Sequence, residues 1–178
     1  RMSLADPGYF TRYQNDPYFS DSLSGDEVWS LFRDRSGILW VGTSHSGINK
    51  LPANAGQFSL YRNNPGNSAS LGTNAIGSFA EDKRGNIWVA TWGGGLDRFD
   101  PADGTFTHYH HDPENPNSLS DDLFMDVYVD PYNMVWAGTL GKGLNYLNPA
   151  TGRATHYLHD PESPNSLADD NIAALLPD

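Results

Sequence analysis

The chain has 178 residues, no cysteine and a net charge of −11, from 11 basic and 22 acidic residues. These values exclude a disulfide scaffold and thiol catalysis, and without a basic stripe nucleic acid is not an expected partner. No apolar run reaches the ~18 residues that a membrane span needs, so we expect membrane attachment only through segments outside this sequence. The 18 glycines and 12 prolines, without long helical periodicity, predict short strands and many turns.

A repeat with a period of 48 residues runs through the sequence. The residues that fix its register are three tryptophans at the same interval, Trp40, Trp88 and Trp136. Prolines and leucines outside the central stretch keep the interval as well, at Pro17, Pro65, Pro113 and Pro161 and at Leu23, Leu71, Leu119 and Leu167. A fixed period of about 20–50 residues is the signature of a repeat architecture.

In chain order, residues 1–7 do not fit the repeat and are interpreted as a tag remnant or a cut end. Residues 8–25 are interpreted as two elements. Residues 10–13 form an outer strand, and the proline-rich connector that follows forms an ordered loop. Complete units follow at residues 26–64, 74–112 and 122–160. Residues 170–178 contain one further inner strand, predicted over residues 172–176.

Each complete unit contains four predicted strands, which in the first unit cover residues 28–32, 38–43, 48–51 and 58–61. Two kinds of turn residue recur between them. Aspartates that cap the first turn lie at Asp34, Asp82 and Asp130, and glycines that end the second loop lie at Gly47, Gly95 and Gly143. Four antiparallel strands per repeat describe a propeller blade. We therefore predict an all-β fold, a β-propeller fragment of four-stranded antiparallel blades with about three and a half blades and no cofactor.

Residues 82–100, which read DKRGNIWVATWGGGLDRFD, resemble the two-component regulator propeller repeat, and so do their counterparts that begin at Asp34 and Asp130. The third copy departs at Asn133, where the pattern has glycine, and the second departs at Ala90. The resemblance implies part of a periplasmic or extracellular sensor domain, ahead of a membrane segment and a histidine kinase or diguanylate cyclase. It also implies an oligosaccharide or a small polar molecule as ligand. Because that family has no shared catalytic residues, none is carried over to this chain.

Candidate ligand-binding residues lie in the loop between the second and third strands of each unit, where the copies differ most. These residues are His45, Trp92 and Lys142, which could offer a stacking platform and polar donors. Recurring aspartates fit turn capping better than catalysis, and the pairs Asp121–Asp122 and Asp169–Asp170 fit capping or a channel rim. The histidines at 108, 110 and 111 are interpreted as solvated surface and not as a metal site, because two of them recur at 156 and 159.

Three classes of function remain open on the sequence: a non-catalytic sensor, a polysaccharide lyase or glycosidase, and a structural interaction module. The sequence favours the sensor, because no asymmetric cluster of acids, histidine and tyrosine is visible. Both ends of the array have apolar strands like those of its interior, so we expect a piece of a longer propeller. On its own, such a piece is predicted to self-associate through exposed blade faces or edges.

Overall fold

The computed structural model describes residues 11–53 and 56–177. Within these ranges the chain is all-β, and its strands form three four-stranded antiparallel sheets. The first sheet contains β1 (Val28–Arg33), β2 (Leu39–Thr43), β3 (Ile48–Leu51) and β4 (Ser59–Tyr61). The second contains β5 (Ile76–Glu81), β6 (Ile87–Thr91), β7 (Leu96–Asp100) and β8 (Thr105–Tyr109). The third contains β9 (Phe124–Val129), β10 (Val135–Thr139), β11 (Leu144–Asn148) and β12 (Arg153–Tyr157). The predicted four-stranded propeller blades are confirmed.

Two predicted strands are wrong. Residues 11–13 are not in a strand, and Phe10 lies outside the described residues together with the proposed remnant at 1–7. Residues 172–176 are not in a strand either, although Ile172 docks on the third blade through a bond from its N–H to the Thr139 carbonyl at 2.9 Å.

The tryptophans of the repeat lie between neighbouring blades. Trp40 is 2% exposed and its ring lies 5.6 Å from that of Phe99 in the second blade. Trp88 is fully buried, with its ring 5.1 Å from Tyr109, in a cluster that includes Val127 of the third blade. Both faces of the middle blade are therefore covered, which explains why β6 is buried at every position and shows no polar alternation.

The turn after each inner strand is closed by its aspartate. The Asp34 carboxylate accepts the N–H of Ile38 at 2.9 Å and the indole N–H of Trp40 at 2.8 Å. Asn133, the departure in the third copy, has φ 65°, in the left-handed region that Gly37 and Gly85 occupy in the other blades. Asparagine tolerates this region better than most residues, so the turn keeps its geometry.

The proline-rich connectors are ordered, as predicted, by a hydrogen-bond pattern that recurs in every copy. The residue two positions after the end of the outer strand donates from its side chain to the carbonyl of the leucine that keeps the 48-residue interval, as Asn63 does to Leu71 at 2.7 Å. His111 and His159 hold the same positions with their Nδ1 atoms 2.7 Å and 2.6 Å from the carbonyls of Leu119 and Leu167. These two histidines therefore brace a loop while they remain exposed on the surface.

Candidate functional site

The strand order places the loops of each blade at two opposite ends. Loops between the second and third strands, and the connectors that enter each inner strand, lie at one end, which we call the mouth. The turns after the first and third strands lie at the other end, which we call the base. His45, Trp92 and Lys142 are all at the mouth, because all three are in loops between second and third strands.

Each inner strand carries a β-bulge at the mouth. In β1 the pairing with β2 shifts between Val28 and Ser30, which leaves Trp29 as the extra residue. The same shift occurs between Ile76 and Ser78 in the second blade, where the extra residue is Gly77. A bulge bends its strand and re-aims the side chain of the extra residue. Trp29 is therefore presented at the mouth and stays 40% exposed.

Trp29 joins two of the predicted binding residues into one aromatic cluster. Its ring centroid lies 4.9 Å from that of Trp92 in the next blade and 6.1 Å from that of His45 in its own blade. We call Trp29, His45 and Trp92 the mouth platform. Trp29 is not among the candidate residues named from the sequence, although its place in the inner strand of the adjoining blade could have linked it to Trp92.

Gly77 makes room for the platform. A Cβ atom at Gly77 would lie 3.4 Å from Nε1 of Trp92 and 2.9 Å from the carbonyl oxygen of Phe124. The Trp92 indole therefore lies over the backbone of the second inner strand. The loop that carries Trp92 is fixed by bonds from the N–H groups of Trp92 and Gly93 to the carbonyls of Ala75 and Asp122, both 3.0 Å long.

Glu27 anchors the first-blade side of the platform. One carboxylate oxygen accepts the Ser44 hydroxyl at 2.7 Å and the other accepts the Trp29 indole N–H at 3.2 Å. The hydrogen bond from Ser44, followed by that from Trp29, lowers the pKa of Glu27 from its usual value of 4.5. The platform thus combines two indole faces, an imidazole and an ionised carboxylate, a set that suits the apolar faces and hydroxyls of a small polar ligand.

Lys142 is not part of this cluster. The contacts that hold it involve its backbone, with its N–H bonded to the Thr139 hydroxyl at 2.9 Å and its carbonyl accepting the Ser120 hydroxyl at 2.9 Å. Its side chain is exposed in the third blade, and it makes no cation–π contact with the platform rings in the part of the chain that is described. A ligand would have to extend from the second blade to the third to reach it.

His108 is held in a structural pair and is not a free surface group. Its Nδ1 atom lies 2.6 Å from a carboxylate oxygen of Asp97, which is fully buried, and its Nε2 atom lies 3.0 Å from the Ser68 carbonyl. Asn49 and Asn145 occupy the position of Asp97 in the other blades, where they bond to the hydroxyls of Ser24 and Ser120. Among the described residues, no group of three or more acidic, histidine or cysteine side chains could hold a metal ion.

This pair makes stability depend on pH. The hydrogen bond to Asp97 raises the pKa of His108 above its usual value of 6.5, so the protonated imidazole stabilises the fold below that pH. We expect this contribution to be lost as pH rises through the folded pKa. The double variant Gly72→Ser, Asp97→Asn introduces the hydrogen-bonded asparagine and serine of the other blades. We expect its urea midpoint to change less with pH than that of the wild type between about pH 6 and pH 8.

The matched control for that measurement is His156→Gln, which removes the histidine at the same repeat position in the third blade. His156 bonds to the Ser118 carbonyl at 2.7 Å and faces Asn145 instead of an aspartate. Its substitution should leave the pH dependence of the wild type in place. An unchanged pH slope in the double variant would contradict the assignment to Asp97 and His108.

Two segments of the chain, residues 22–45 and 70–93, match the family model described as two component regulator propeller. They are related by the 48-residue period, and the match confirms the resemblance that the repeat carries. No curated protein sequence matches the chain. In the described residues, no helix is long and apolar enough to cross a membrane.

Similar solved structures include extracellular domains of signalling systems from B. thetaiotaomicron. One, from a proposed hybrid two component system, is 27% identical with a TM-score of 0.73, and the match covers 85% of this chain and 21% of that one. A second, from a proposed one component system, is 24% identical with a TM-score of 0.66 and coverages of 85% and 19%. Virginiamycin B lyase from Staphylococcus aureus shares the fold at 20% identity, with a TM-score of 0.54 and coverages of 76% and 42%. This chain thus spans about a fifth of the length of the two signalling domains.

Proposed function

We propose that this chain is part of the extracytoplasmic sensor propeller of a signal-transduction receptor and binds a saccharide or a small polar ligand at the mouth platform. The observation that carries the proposal is the contact between Trp29 and Trp92 across the boundary of two blades, 4.9 Å between ring centroids. A ligand stacked on both rings would bridge the blades, so binding would be coupled to how the blades pack. The matched repeat and the two-component neighbour support the sensor class.

In this proposal the protein chemistry is binding alone, and the output is supplied by a separate kinase or cyclase domain of the whole receptor. The platform offers stacking faces and hydrogen-bond acceptors, but the single carboxylate at its edge, Glu27, is already engaged by Ser44 and Trp29. Hydrolysis of a glycosidic bond normally uses two carboxylates on opposite sides of the bond. The arrangement therefore favours a receptor over a glycosidase.

The test is a titration of the chain with a panel of neutral and acidic oligosaccharides, followed by intrinsic tryptophan fluorescence and calorimetry. We expect Trp29→Ala and Trp92→Ala each to weaken binding about tenfold, which corresponds to ~1.4 kcal/mol of lost stacking. Tyr18→Ala is the control, because Tyr18 is an exposed aromatic residue in a connector and 92% accessible. Lys142→Ala reports whether the ligand reaches the third blade.

The outcomes separate a sensor from an enzyme and test the platform itself. Saturable binding without product, lost in both tryptophan variants, supports the sensor. Product formation from any oligosaccharide in the panel would favour the carbohydrate-active enzyme. If neither tryptophan variant changes the affinity of a sugar that binds, the site lies elsewhere and the platform proposal fails.

A further inference from the structure

A groove at the base, opposite the mouth platform, lies between the second and third blades. It has a volume of about 300 Å³ and is lined by the turn of the second blade, by Arg98 of β7 and by the two base turns of the third blade. Its polar lining consists chiefly of Arg84, Arg98, Tyr132, Asn133 and Asn148. We propose that this groove binds a carboxylate-bearing sugar, with the two guanidinium groups on the carboxylate and Tyr132 against the ring.

The two arginines have no acidic partner among the described residues. Neither forms a salt bridge there, although the chain carries twice as many acidic as basic residues. The Nε atom of Arg98 is buried without a hydrogen-bond partner. A buried polar group without a partner costs free energy, so such a group in a folded protein calls for an explanation. Arg98 lies opposite Trp88 in the strand pairing, and the Nε1 atom of Trp88 is likewise buried without a hydrogen-bond partner.

The acid at the groove cannot serve as the missing partner. Asp82 lines the groove, but its carboxylate caps its own turn, where it accepts the N–H groups of Arg84 and Asn86 and the side-chain amide of Asn86. These three bonds are 2.8, 3.0 and 2.8 Å long. Asp82 forms no salt bridge with either arginine among the described residues, and its single negative charge offsets only part of the two positive charges at the groove.

The other junction of blades shows what the groove lacks. Between the first and second blades, Arg35 forms a salt bridge with Glu81 at 3.1 Å and also donates to the Asp82 carbonyl. One period later, Lys83 takes the place of Arg35 and Val129 takes the place of Glu81. The second junction has thus kept a cation at this position, as Lys83, and lost the acid that pairs with it in the first, while Arg84 stands where the first blade has Ser36.

The uncharged groups of the groove also favour an acceptor-rich ligand. The side-chain oxygens of Asn133 and Asn148 are already occupied by the N–H groups of Lys83 and Ala150, at 3.1 and 2.9 Å. No hydrogen bond of either side-chain NH₂ group is recorded within the described ranges, so both can donate to a ligand. Tyr132 is 85% exposed, which leaves its ring free to stack. Arginine forks match carboxylates in bidentate geometry, and an aromatic ring suits the apolar face of a sugar.

The test uses sodium D-glucuronate as the probe, with D-glucose as the uncharged probe and sodium sulfate as the simple anion. We expect glucuronate to bind at least about tenfold more tightly than glucose, since its carboxylate forms charge-assisted hydrogen bonds that glucose cannot form. Its affinity should fall with added salt because the groove is open to solvent. Arg98→Gln and Arg84→Gln should each weaken glucuronate about tenfold by calorimetry or ligand-observed NMR.

The matched control is Lys50→Gln, which removes the cation at the repeat position of Arg98 in the first blade, where Lys50 lies over the Trp40 ring. Lys50→Gln should bind glucuronate like the wild type. Trp92→Ala is titrated in parallel, and loss of glucuronate binding in Trp92→Ala but not in Arg84→Gln would assign the probe to the mouth and overturn the base site, so failure at the base and failure at the mouth are distinguishable. Arg84 is exposed in a turn, so its variant keeps the test valid if Arg98→Gln does not fold. The proposal is overturned if glucose or sulfate binds as tightly as glucuronate. It is also overturned if Arg84→Gln binds glucuronate like the wild type.

Discussion

Trp88→Ala is expected to lower the free energy of unfolding by about 3–5 kcal/mol, the usual cost of emptying a buried tryptophan site. Trp88 is fully buried and packs between the second and third blades. The cavity would lie where the two sheets meet, among backbone atoms of paired strands that cannot collapse into it. Urea denaturation at low protein concentration measures the effect, with the slope of the transition checked for a two-state response.

Trp136→Ala is the matched control, because Trp136 occupies the same repeat position on the outer face of the third blade and is only partly buried. It contacts the rings of Tyr146 and Tyr157 at 4.2 and 5.7 Å, and the site is open on one side. We expect it to lose clearly less stability than Trp88→Ala. Equal losses in the two variants would show that the tryptophans act within their own blades and not at the junction.

The repeat predicted most of the fold because its geometry is local. A four-residue turn with an aspartate and a left-handed residue fixes a hairpin wherever it recurs, as Asp130 and Asn133 show in the third blade. The tryptophan register then places each second strand between its neighbours. Residues 11–13 and 172–176 have a strand-like pattern but are not in strands, because a strand also needs a hydrogen-bonded partner and the pattern of a single segment does not specify one.

The candidate site was only half predictable for a related reason. His45 and Trp92 could be identified from the sequence because they are variable loop residues. Trp29 contacts them because a β-bulge redirects its side chain. The sequence around Trp29 contains no turn residue that would have predicted this bulge. The sequence did not show which histidines form hydrogen bonds within the fold. His108 is the partner of Asp97, and His111, which stays exposed, is the partner of the Leu119 carbonyl. The change from Glu81 to Val129 between copies was visible in the sequence and is the signal that could have revealed the base groove.

The end faces of the array lead to the second large effect that we expect, self-association of the 178-residue chain. Leu31 on the first blade is 66% exposed, whereas Phe79 and Val127 at the same repeat position are 7% and 4% exposed. Those two side chains face the preceding blade, so Leu31 points away from the rest of the array. On the third blade, Tyr157 and Leu158 are 43% and 52% exposed.

Analytical ultracentrifugation over a range of concentrations should show a dimer or a larger species that dissociates on dilution. Leu31→Lys should weaken the association at least tenfold, because it removes ~1.5–3 kcal/mol of apolar burial and places a charge in the contact. Phe19→Lys is the matched control, since Phe19 is 63% exposed but lies in a connector and not on an end face. A species that stays monomeric at every concentration, or equal effects of the two lysines, would contradict association through the end faces. In a longer chain, a neighbouring blade would cover the same apolar side chains on these end faces that a second copy covers here.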